Sequence, residues 1–145
     1  MSPSKTYSVA GTYTVTLTVT DSNGAKNSAS VIVNVTIDAT TVIRVESITM
    51  TYQTGATGKT VKAVVKVTNL GTGAAVYGAS VSQSWSGLVS GSATAKTDKT
   101  GKVTFTTTRF KTSGTETFTV TGLSLSGKTY MASANKVTSQ SLYVP

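Results

Sequence analysis

Tyr13-Thr14-Val15-Thr16-Leu17-Thr18-Val19-Thr20 alternates without a break, with apolar side chains at the odd positions and threonine at the even ones. A period of two puts Tyr13, Val15, Leu17 and Val19 on one face of an extended chain and the threonines on the other, the pattern of a half-buried β-strand. Asp21-Ser22-Asn23-Gly24 follows. These residues favour a turn, because Asn and Gly tolerate positive φ and Asp accepts from nearby backbone amides. From Ser30 to Ile37 the alternation resumes with Val31, Val33, Val35 and Ile37 facing one way, which predicts an antiparallel pair.

The same reading carries downstream. Alternation and turn residues predict strands over Val42–Tyr52, Thr60–Thr68, Ala79–Ser86, Ala93–Thr97, Lys102–Thr108, Thr115–Leu125 and Thr129–Ala134. The inward residues are Ile48, Met50 and Tyr52, then Val61, Ala63, Val65 and Val67, then Val81, Gln83 and Trp85, Val103 and Phe105, and Phe118 and Val120. Seven strands in about 100 residues have the density of a Greek-key sandwich. The expected class is therefore all-β, with immunoglobulin-like sandwiches of which the first is incomplete. The organisation is a partial sandwich over 1–38, a linker at 39–41, a full sandwich over 42–135, and an extended tail at 136–145 whose Val137–Val144 segment can form one more strand.

Composition narrows the function. The chain has 145 residues, a net charge of +8, five acidic residues, and neither cysteine nor histidine. Thiol nucleophiles, imidazole bases, zinc fingers and Ser-His-Asp triads all need one of the two missing side chains, and only a Ser–Lys pair or a Thr nucleophile is left, with no motif to position either. The expectation is no enzyme and no cofactor. Threonine and serine fill about a third of the chain, and hydroxyl-rich, β-branched sequence belongs to sheets. No run approaches the roughly 20 apolar residues of a membrane span, and no signal peptide opens the chain, so the expectation is an exported protein whose signal was removed, or a piece of one.

Tyr7, Gly11, Tyr13, Val15, Leu17, Val19 and Asp21 fill the pattern Tyr-x-x-x-Gly-x-Tyr-x-Val-x-Leu-x-Val-x-Asp, and the run from Tyr7 to Thr36 resembles the C-terminal half of PKD domains, extracellular immunoglobulin-like sandwiches. The Trp-Asp-Phe-Gly-Asp-Gly-like segment that those domains carry upstream has no counterpart here, so the resemblance implies half a sandwich. Val65–Gly71, Gly78–Gly87, Thr97–Gly101, Phe118–Val120 and Tyr130–Asn135 resemble the bacterial and archaeal immunoglobulin-like modules of secreted hydrolases and surface proteins. That resemblance implies a non-catalytic spacer, accessory or adhesive role and an extracellular or cell-surface location.

A half-sandwich leaves its apolar face wet. Tyr13, Val15, Leu17, Val19, Val31, Val33 and Val35, with Val137, Leu142 and Val144 of the tail, are therefore candidates for strand pairing between subunits, and the expected partner is a second copy, in a homo-oligomer or filament held by strand exchange. The alternative is the C-terminal accessory module of a secreted hydrolase, covalently linked to a catalytic domain and acting as spacer or polysaccharide binder. Trp85, Tyr77 and Tyr130 are its candidate glycan contacts, although a lone mid-strand Trp more often fills a core. Asp21 with Asn23, and Asp98 with Gly101, read as turns rather than calcium ligands, since neither loop offers more than one carboxylate. Lys62 and Lys66 share a strand face, and Lys96, Lys99, Lys102, Arg109 and Lys111 surround one hairpin. Edge protection and solubility account for them, contact with an acidic polymer is the lesser alternative, and nucleic acid is not expected because interleaved aromatics are missing. Lys66, Asn69, Asn135 and Glu46 are the residue types of an intramolecular Lys–Asn isopeptide bond.

Overall fold

The computed structural model describes residues 4–7 and 10–145; Ser8 and Val9 of the opening motif lie outside the described residues. The chain divides into two compact units, residues 1–38 and 39–145. The first is a two-stranded antiparallel ribbon of β1 (Gly11–Thr20) and β2 (Lys26–Val35). Its turn is closed by Asp21, whose Oδ1 accepts the Asn23 and Ala25 amides at 2.9 Å each, while Gly24 takes φ +82°. The second strand starts directly after this turn, earlier than the Ser30 expected from the valines, because Ser28 and Lys26 pair with Thr18 and Thr20 although they break the apolar alternation. It ends at Val35, so Ile37 lies outside it and is exposed.

The second unit is an immunoglobulin-like sandwich of two four-stranded sheets. It contains β3 (Val42–Gly55), β4 (Gly58–Asn69), β5 (Ser80–Ser86), β6 (Gly91–Lys96), β7 (Lys102–Thr106), β8 (Gly114–Ser124), β9 (Thr129–Tyr130) and β10 (Ser139–Val144). One sheet has the order β7-β4-β3-β9 and the other β10-β8-β5-β6, with every pairing antiparallel except β3 with β9. Alternation does the sorting. On β4, Val61, Ala63, Val65 and Val67 are fully buried, and Phe118 of β8 sits at the centre with Trp85 edge-on at 4.8 Å and Phe105 at 5.6 Å between ring centroids.

Several expectations change in this unit. Tyr52, expected inward, is exposed, because the β3–β4 hairpin runs out to its Gly55–Gly58 tip, where the residues from Thr51 to Thr57 are all exposed. The expected strand over Thr129–Ala134 shrinks to the two residues of β9 followed by a 3₁₀ turn at Ala132–Ala134. Residues 39–41 are not a free linker: the Ala39 carbonyl accepts from the Gly71 amide at 3.0 Å, and Asn69 Nδ2 donates to the Thr40 carbonyl at 2.6 Å. The tail is an integral strand. β10 pairs with β8, Val144 is fully buried, and Val137 and Leu142 pack against the core. These three apolar residues cover the chain's own sandwich, which corrects their assignment as surfaces for a neighbouring subunit; what β10 leaves free is its outer backbone edge.

Candidate functional site

The ribbon has two unlike faces. In register, Thr12 faces Asn34, Thr16 faces Ser30 and Thr18 faces Ser28, and each pair is joined by a side-chain hydrogen bond of 2.8 to 2.9 Å. Three pairs of this face satisfy each other across the strands, while Thr14 stands opposite the exposed Ile32. The opposite face sets Tyr13 against Val33, Val15 against Val31 and Leu17 against Ala29. Near Tyr13 it is half-buried, with the Tyr7 ring 4.3 Å away, but Leu17, Val19 and Val31 are 55%, 59% and 59% exposed. The seven ribbon residues expected from the sequence thus share one face, with Val33 and Val35 half-buried at its Tyr13 end and the Leu17 end open to water. A side chain of that kind gains roughly 1.5–3 kcal/mol on full burial, so the open end is a surface that favours a cover.

The three glycan candidates are not brought together in this way. Trp85 is a core residue, which removes it as a stacking platform, since a pyranose needs an open ring face. Tyr130 is half-buried and its hydroxyl accepts from Asn135 Nδ2 at 2.8 Å. Tyr77 is exposed beside a shallow depression lined by Thr40, Thr72, Val76 and Lys128.

The loop carboxylates behave as turn residues. Asp98 Oδ1 accepts from the Thr100 amide and hydroxyl at 2.8 and 2.7 Å and from the Lys102 amide at 3.0 Å, and the Thr100 hydroxyl is the main cause of its lowered pKa. Three of the four isopeptide candidates, Asn69, Asn135 and Glu46, are also engaged elsewhere. Asn69 Oδ1 accepts from the Gly71 and Thr72 amides, and Asn135 Oδ1 accepts from the Val45 amide at 2.8 Å. Glu46 is the extra residue of a bulge in β3 and is held by Lys136, Arg44 and Thr68; its hydrogen bond from Lys136 is the main reason its pKa is lowered.

Two buried polar groups were not foreseen as sites. Glu116 is fully buried, accepts the Val89 amide on Oε2 at 2.9 Å, and leaves Oε1 without a hydrogen-bond partner; burial pushes its pKa up. It shares the even-numbered parity of Phe118 and Val120, so strand alternation alone could have placed it inside. Gln83, expected inward, is inward, and its Oε1 is also unpartnered.

Among the described residues, no helix is long and apolar enough to cross a membrane. No curated protein matches the chain, and no solved structure does. The family model of the PKD domain matches residues 1–37, so the ribbon is a partial PKD domain, an immunoglobulin-like module typical of extracellular proteins and ordinarily a non-catalytic accessory.

Proposed function

We propose that the protein is a non-catalytic extracellular structural subunit that self-associates, the apolar face of its PKD ribbon being completed by strands of a second copy. The observation that carries this reading is the open Leu17–Val19–Val31 face, opposite a face where the Thr12, Thr16 and Thr18 pairs are already hydrogen-bonded. Strands added from a neighbour would lay a second sheet over this face. A contact that uses different patches on the two copies does not close on itself and so propagates into a filament. The absence of imidazole and thiol from the composition supports a structural rather than a chemical role.

Light scattering on the purified chain, with negative-stain microscopy of the same sample, tests this. Assemblies larger than a monomer are expected, and Leu17→Asp with Val31→Asp returns them to monomers while Trp85 fluorescence still reports a folded sandwich. A monomer of about the 14.9 kDa chain mass at all concentrations overturns the reading. It would favour the accessory module of a secreted hydrolase, in keeping with the non-catalytic accessory role typical of PKD domains.

A further inference from the structure

All of the net charge lies in the sandwich. Residues 39–145 carry eleven Lys and Arg against Glu46, Asp98 and Glu116, a balance of +8, whereas residues 1–38 carry Lys5 and Lys26 against Asp21 and Asp38 and are neutral. Each of the three sandwich carboxylates is already engaged: Glu116 is buried, Asp98 caps the β6–β7 turn, and Glu46 sits between Arg44 and Lys136. On the outer face of the β7-β4-β3 sheet only Glu46 comes near, bonded to Arg44 and Thr68 one row beyond Lys66, while Asp98 lies in the turn at the start of β7, beside Lys102.

Register defines that face. Because Val61, Ala63, Val65 and Val67 of β4 point inward, their neighbours point out, in the rows Ser47–Lys66–Lys102, Thr49–Val64–Thr104 and Thr51–Lys62–Thr106. Lys66 and Lys102 stand directly opposite each other, and like charges so placed repel. Protecting the β7 edge needs one lysine, not one set against another. Same-face residues recur every ~6.8 Å along a strand, so Lys62 stands about 13 Å from the Lys66–Lys102 pair. Neither ion pair of the described residues involves these three lysines. Between them lie the exposed hydroxyls of Thr49 and Thr104, and those of Thr51 and Thr106 flank Lys62.

We infer that this face binds an acidic polysaccharide, with Lys62, Lys66 and Lys102 taking its carboxylate or sulfate groups and the threonine hydroxyls its sugar hydroxyls. An anion between Lys66 and Lys102 converts a repulsion into a bridge. Single-stranded nucleic acid is disfavoured because the rows hold no aromatic side chain for base stacking, and a membrane surface because Val64 is their only apolar side chain. The inference goes beyond the proposed assembly and does not depend on it, since the site lies wholly on the sandwich.

The test titrates the full chain with polygalacturonate, with dextran as the neutral polymer and single-stranded DNA as the non-sugar polyanion, at 50 and 300 mM NaCl. Two variants are compared: Lys62→Thr, Lys66→Thr, Lys102→Thr on the face, and Lys26→Thr, Lys96→Thr, Lys111→Thr as an equal charge loss elsewhere. The expected result is binding to polygalacturonate and not to dextran, weaker binding to DNA, a loss of about tenfold on raising the salt, and a loss of tenfold or more in the face variant against twofold or less in the control. A second readout guards against misfolding: Lys66→Thr alone, which relieves the repulsion and leaves Lys102 beside Asp98, raises the thermal midpoint without polymer and reduces the further rise that polygalacturonate produces. Equal losses in the two variants, no binding to polygalacturonate, or equally tight binding to DNA each overturns the inference. None of these outcomes bears on the oligomeric state, so the assembly reading is judged separately.

Discussion

The turn joining β1 to β2 and the turn joining β6 to β7 are built alike, while the strands they join meet very different surroundings. In both, an Asp Oδ1 accepts the amides two and four residues on, and a glycine three residues on takes a positive φ: Asp21 with Gly24, and Asp98 with Gly101. Yet Leu17 and Val19 of the ribbon are mostly exposed, whereas Val103 and Phe105 of β7 are buried. Local hydrogen bonding suffices to close a hairpin, but burying its apolar face takes a second layer, and only the sandwich contains both layers in its own unit.

The largest effect that sharpens this contrast is in the core. Phe118→Ala, which removes the ring against Trp85 and Phe105, is expected to cost about 3–5 kcal/mol in urea denaturation followed by the fluorescence of the single tryptophan. Leu17→Ala in the ribbon should leave the same transition within ~0.5 kcal/mol. Comparable losses at the two positions would break the contrast.

The matched glycines come next. A Cβ on Gly24 meets open space, but on Gly101 it lies 2.6 Å from the Val67 carbonyl oxygen. Gly101→Ala should therefore lower sandwich stability by roughly 2–3 kcal/mol, the sum of left-handed strain and a backbone clash. Gly24→Ala should leave the sandwich transition unmoved and only speed amide exchange in its own turn.

Glu116 adds a pH dependence that is confined to the sandwich. Its folded pKa is raised by burial above the ordinary 4.5, so its contribution to stability is complete below that value and is lost as pH rises through the folded value. Glu116→Gln keeps an acceptor for the Val89 amide and removes the charge. The variant should lose this decline and be more stable than the parent at pH 8, as read from urea midpoints at pH 4 and 8. An unchanged pH profile would show that the carboxylate reaches water.

The smallest effect belongs to the bulge. Glu46, its pKa lowered chiefly by Lys136, contributes above 4.5 and loses that contribution as pH falls. Since Lys136 is well exposed and Arg44 and Thr68 remain, Lys136→Met should change stability by no more than ~0.5 kcal/mol.

The strands were largely legible, because β-branched residues in strict alternation leave few other conformations. β4, with four valine or alanine residues buried and its lysines outside, matches its expected pattern closely. The β3 bulge was not legible, since Glu46 breaks a period of two in a way that only the partner strand's register exposes. β9 was overestimated because the Tyr130 region turns into a 3₁₀ segment held by Asn135, 90 residues from the Val45 amide it caps. The outer lysine rows were seen as residues on shared faces, but the opposition of Lys66 and Lys102 depends on how β4 and β7 align.

The sequence by itself determined the all-β class, the position of most strands, the two Asp–Gly turns and the inward side of most strands, since these follow from side-chain shape, backbone freedom and a two-residue period acting over a few neighbours. Tertiary structure decided which apolar faces find a cover: it seated Val144 and the tail in the sandwich core, closed Trp85 and Glu116 off from water, and left Leu17, Val19 and Val31 open. The period of a strand says which side seeks burial, but whether that side is buried depends on residues far away in the chain, or on another molecule.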